Sequence, residues 1–139
     1  MSEFYTQNGW KGKSYNGDLS TKDIAKLIRK EIRTKYPKMK ISVRTSHFSG
    51  GSSIDVTIQD CGFDPIHPEW DPYEVSIDHK NPLYTEEAES LIKSLEKIGN
   101  QYRWDDSDGM VDYFNCNFYF DVAFDWEFER KRLQALGIM

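Results

Sequence analysis

Cysteine is almost missing from this chain: of 139 residues only Cys61 and Cys116 are thiols, and they form no CxxC pair. That excludes both the disulfide framework of small secreted domains and a zinc knuckle, and leaves free thiols as the expected state. Histidine is nearly as scarce, with three residues. His67 and His79, with Glu69 and Asp71, are metal-capable, but their spacing matches no helical or knuckle motif. No metal and no cofactor is expected. No run reaches the roughly 18 apolar residues of a membrane span, and Met1-Ser2-Glu3-Phe4 opens without a basic or apolar signal region. A cytoplasmic protein without a membrane partner is therefore expected, and no internal repeat or low-complexity tract argues for a repetitive fold.

What the chain does have is aromatic mass: eight Phe, eight Tyr and four Trp within a hydrophobic content of 38%. A core can form from few large side chains, and the length suits a single domain over 1–139. The net charge of −5 conceals a strong split. Residues 1–44 carry 11 Lys and Arg against 4 acids, whereas residues 45–139 carry 7 against 19. Such a chain presents a polyanion-attracting surface and an acidic one, or its two halves neutralise each other.

Residues 1–17 are aromatic and glycine-rich without a hydrophobic period, which predicts an irregular arm. A helix then starts at a Ser20 or Thr21 cap, with Ile24, Leu27, Ile28 and Ile32 at helical spacing, and ends near Tyr36 before Pro37. Its other faces carry Lys22, Lys26, Arg29, Lys30, Arg33 and Lys35. Residues 39–46 and 54–59 alternate apolar and polar, so they read as a hairpin around a Ser-Gly-Gly-Ser loop. Residues 61–84, with four prolines, read as an insertion holding at most a short strand at Tyr73–Ile77. A second helix opens at Thr85-Glu86-Glu87-Ala88 and stops at Gly99-Asn100. After an acidic turn at Asp105, Asp106 and Asp108, the stretch 111–124 alternates like one long strand, and a short helix from Trp126 to Leu136 closes the chain. The expected fold is α+β: a helix-strand-strand-helix-strand core, a mainly antiparallel sheet packed against two helices, and a short C-terminal helix.

Three surfaces carry candidate chemistry. Lys26, Arg29, Lys30, Arg33 and Arg44 are placed to meet nucleic-acid phosphates, or they form a solvated helix face. Ser49, Gly50, Gly51 and Ser52 offer backbone N–H groups and hydroxyls for an anion, but no GK[ST] follows, and a hairpin turn needs the same glycines. Tyr113, Asn115, Asn117 and Tyr119 share the polar face of the last strand, a platform for bases, for a protein partner or for another part of this chain. The acidic turn lacks the later glutamate of a calcium loop. No base, nucleophile and orienting group converge in the sequence, so an enzyme is not expected.

The run DLSTKDIAKLIRKEIRTKYPKMKISVRTSHFSGGSSIDV, Asp18 to Val56, and the later DGMVDYF, Asp108 to Phe114, resemble the large polyvalent protein-associated domain of type 29. That resemblance implies a module of phage and conjugative-element proteins, and it supplies no catalytic residue. With the acidic C-terminal portion, it favours a non-catalytic binding protein acting on a host protein, for instance as a counter-defence inhibitor. The alternatives are a nucleic-acid-binding module using the basic helix and a structural module that pairs with itself through the last strand.

Overall fold

In the computed structural model, which describes residues 9–67, 84–106 and 116–135, the elements run β1 Trp10–Lys11, α1 Thr21–Lys35, β2 Lys40–Phe48, β3 Gly51–Asp60, α2 Glu86–Asn100, β4 Trp104–Asp105, β5 Tyr119–Phe124 and α3 Trp126–Ala135. The fold is α+β, as the patterning predicts.

Helix α1 begins where a capping box satisfies its first orphan donors. The Ser20 hydroxyl accepts from Asp23 N–H at 3.1 Å, and the Asp23 carboxylate accepts from Ser20 N–H at 3.2 Å. The hydrogen bond from the Ser20 main-chain N–H, and then the one with its side-chain hydroxyl, helped by Lys26 and Lys22, hold the Asp23 carboxyl below its ordinary 3.8. The helix buries Ile24, Ala25, Ile28 and Ile32, while Leu27 stays 38% exposed. Helix α2 is capped by Thr85, whose hydroxyl accepts from Ala88 N–H, and it buries Ala88, Leu91, Leu95 and Ile98. Each of these large apolar side chains contributes about 1.5–3 kcal/mol when fully buried.

Strands β2 and β3 pair antiparallel from Ile41↔Ile58 to Phe48↔Gly51. The ladder therefore runs through most of the segment expected to be loop. Only Ser49 and Gly50 form the turn, and Gly50 at φ +97° holds a conformation that a side chain disfavours. Side-chain alternation then sorts the sheet into two faces. Ile54, Val56 and Ile58 of β3, Val43 of β2 and Phe124 of β5 are buried against the helices. Arg44, Ser46, Phe48, Asp55, Tyr119 and Asp121 fall on the opposite face by the same register.

The sheet order is β2-β3-β5, and β5 joins β3 in parallel, Ser53↔Tyr119 through Ile58↔Phe124. The sheet is thus mixed, because α2 provides the crossover that a parallel partner requires. Strand β5 spans Tyr119–Phe124, and the described residues just before it, Asn117 and Phe118, are not in the strand. Before it, the Asn117 side chain bridges backbone: Oδ1 accepts from Trp104 N–H at 3.0 Å and from Phe118 N–H at 3.2 Å, while Nδ2 donates to the Tyr102 carbonyl at 3.0 Å. Residues 111–115 and the proposed strand at Tyr73–Ile77 lie outside the described residues. The described part of the N-terminal arm, from residue 9 on, takes up regular contacts that its lack of period does not imply. Strand β1 pairs with β4, and Gly12 sits so close to the Asn100 and Gln101 carbonyls that a Cβ there would collide with them. At the other end, α3 packs Phe128 in a stack on Phe124, with ring centroids 6.2 Å apart.

Candidate nucleic-acid interface

Lys26, Arg29, Lys30 and Arg33 stand at i, i+3, i+4 and i+7 on α1, the spacing that gathers side chains onto one face of a helix. The structure brings them together with Thr34 around an open groove of about 330 Å³. This face points away from the buried Ile24, Ile28 and Ile32 stripe because apolar and cationic positions interleave along the same turns. Four like-charged neighbour pairs at i,i+3 and i,i+4 result. Each destabilises an exposed helix by about 0.2–0.5 kcal/mol, so roughly 1–2 kcal/mol of self-repulsion is built into the free protein.

Arg29 ties this face to the sheet. Its Nη2 donates to the Val43 carbonyl at 2.8 Å, on β2 at the edge of the sheet. Contact between Thr21 and Ser52 at the other end, Oγ1 to Oγ at 2.7 Å, shows that α1 runs antiparallel to β2, with its N-terminus beside the hairpin tip. The four cations consequently line up along an edge strand. Among the described residues none of them forms an ion pair, whereas Arg103 pairs with Asp105 at 3.1 Å.

Two other depressions differ in kind. A larger one of about 590 Å³, at the carboxyl ends of β3 and β5, sets Asp60, Asp125 and Glu127 against Lys40 and Lys131. Its charges offset one another. A third, between α1 and α2, contains Glu31, whose carboxylate accepts from Gln101 Nε2 at 3.2 Å, and Lys35, whose Nζ donates to Ser94 Oγ at 2.8 Å. Of the three, the α1 groove is the one lined without a carboxylate.

The remaining candidate residues separate. Arg44 is exposed on the open face of the sheet, directly opposite Asp55. Ser49 and Gly50 are the exposed hairpin turn, Gly51 begins β3, and Ser52 is 6% exposed and bonded to Thr21, so the segment is a hairpin tip. Asn117 is held by backbone, and Tyr113 and Asn115 lie outside the described residues. Tyr119 is 43% exposed and meets a residue that alternation alone did not single out, Phe48, 48% exposed, with ring centroids 6.0 Å apart. The two are brought together by the parallel β3–β5 register.

Among the described residues, no group of three or more His, Cys, Asp or Glu is placed to hold a metal ion. His67 is described, whereas Glu69, Asp71 and His79 are not. Asp105 is paired with Arg103, and Asp106 is 5% exposed. Burial pushes the Cys116 thiol above its ordinary value against the lowering effect of Arg103, so this sulfur is not poised as a thiolate. Among the described residues no helix is long and apolar enough to cross a membrane.

The sequence profile of the family described as large polyvalent protein associated domain 29 matches residues 19–116, more than half of the chain. The chain belongs to that family. The type-29 match spans α1, the hairpin, α2 and β4, and so contains the whole cationic stripe. It ends before β5, yet β5 completes the sheet, so the folded unit extends past the matched stretch. No curated protein and no solved structure matches this type-29 domain. The family is associated with large polyvalent proteins, and that association names no reaction or partner.

Proposed function

We propose that this protein is a non-catalytic binding module of a phage or other mobile element, and that its α1 groove engages the phosphates of nucleic acid. The observation that carries this reading is the convergence of Lys26, Arg29, Lys30 and Arg33 on one groove whose described lining holds no carboxylate. Concentrated positive charge held at a cost to the helix finds its relief in a polyanion. An overall charge of −5 limits non-specific attraction at long range and leaves a local, salt-sensitive contact.

Fluorescence anisotropy with labelled DNA and RNA tests it. Lys26→Gln, Lys30→Gln and Arg33→Gln combined spare the Arg29 contact with Val43, and should weaken binding at least about tenfold and flatten the log Kd against log salt slope by about 2–3. Unchanged affinity in the triple variant sinks the proposal.

A second reading, a counter-defence inhibitor that occupies a host protein, is favoured by a different feature. Asp55 and Asp121 stand side by side in the parallel register on the open sheet face, near Phe48 and Tyr119. An acidic face rimmed by aromatic rings suits a basic protein channel. Competition between this protein and nucleic acid for a purified host nuclease or regulator distinguishes the two readings.

A further inference from the structure

The exposed rings of Phe48 and Tyr119 lie at the hairpin end of the sheet, on the face opposite α1, whereas the cationic stripe lies farther along the β2 edge, level with Val43. Helix α1 runs antiparallel to β2, with Thr21 against Ser52 next to the hairpin tip and Arg29 against Val43 in mid-strand. From Val43 to Phe48 is five residues of extended chain, about 17 Å. Along the way, the side chain of Arg44 and the bonded hydroxyl pair Ser46–Ser53, 2.8 Å apart, face the open side of the sheet. Phe48 and Tyr119 then form a tilted pair, 32° between planes, over Gly51, whose missing side chain leaves room beneath the rings.

Building on the nucleic-acid reading above, we infer that the occupant of this surface is a single strand, DNA or RNA, whose phosphates follow the α1 stripe and Arg44 while its bases stack on Phe48 and Tyr119. Two groups of observations require each other here. Cations alone would serve a duplex equally well, and a duplex hides the faces of its bases. Exposed rings beside hydroxyls serve unstacked bases, which are available only in a single strand. Asp55 and Asp121 repel phosphate from the centre of the sheet face, so the strand keeps to the β2 edge and the hairpin tip. Arg44, opposite Asp55, marks the boundary of that path.

The test compares a mixed-sequence single-stranded oligonucleotide, as DNA and as RNA, with the same sequence in duplex form, at one salt concentration. Wild-type protein should bind the single strands about tenfold or more tightly than the duplex. Phe48→Ala with Tyr119→Ala should erase that preference and leave duplex binding within twofold, while Phe48→Tyr with Tyr119→Phe retains it. Both positions are exposed, and unchanged thermal unfolding of each variant separates lost stacking from lost folding. Equal affinity for single strand and duplex, or a preference that survives removal of both rings, overturns this inference and leaves the phosphate-binding groove standing. Absence of binding to any of the three nucleic acids overturns both.

Discussion

The two sides of helix α1 are built from the same fifteen residues and are governed by opposite physics. Inward, Ile24, Ala25, Ile28 and Ile32 are no more than 3% exposed and join the core. Outward, Lys26, Arg29, Lys30 and Arg33 crowd like charges into two turns without an acidic partner among the described residues. The first side contributes to stability, and the second detracts from it. A surface that folding alone would have softened with alternating charge is the place to look for function.

Three substitutions sharpen that contrast. Ile28→Ala, at a position of 0% exposure, should cost about 2–5 kcal/mol in chemical denaturation, because it removes apolar burial and leaves a cavity between helix and sheet. Ser20→Ala removes the cap and should cost about 0.5–2 kcal/mol. It also changes the acid limb. Ser20 depresses the Asp23 carboxyl in the folded state, so that contribution is fully present above the ordinary value of 3.8 and is lost as pH falls through the depressed folded value. Ser20→Ala keeps the main-chain N–H that is the larger cause and removes only the side-chain bond, so this part of the acid dependence should shrink but persist in urea midpoints measured across that window. The smallest effect on stability has the largest consequence for function. Lys30→Glu places an opposite charge between Lys26 and Arg33 and should raise stability by a few tenths of a kcal/mol to about 1 kcal/mol while weakening nucleic-acid binding several-fold. A Lys30→Glu protein that is less stable than wild type and binds as tightly would reverse the assignment of the two sides.

The inward side of α1 was legible because caps and a 3.6-residue apolar period coincide from Ser20 to Ile32, and α2 was legible for the same reasons. The alternation of Ile41 and Val43 with Ile54, Val56 and Ile58 likewise revealed a hairpin and its two faces. Alternation is silent on strand direction, however, so the parallel placement of β5 had to come from the three-dimensional path through α2. Strands β1 and β4 are two residues each, too short for any period. Their pairing depends on Gly12 fitting against the Asn100–Gln101 backbone, a contact between distant segments. The site divides similarly. Cations on one helix can be read locally, whereas Phe48 and Tyr119 meet only because β3 sets Gly51 opposite Phe48 and Ser53 opposite Tyr119. Asn117 belonged by alternation to an outward platform, but an amide that can bridge Tyr102, Trp104 and Phe118 is drawn to those backbone groups instead.

The most direct test of the cationic side as the working surface is a titration of isotope-labelled protein with an unlabelled oligonucleotide, followed by amide chemical shifts. Shifts concentrated at Lys26–Thr34, with α2 residues Glu86–Lys97 unmoved, are the predicted result. Perturbations confined to α2 or to the mixed-charge cleft at Asp60, Asp125 and Glu127, or a spectrum that does not change at all, would contradict it.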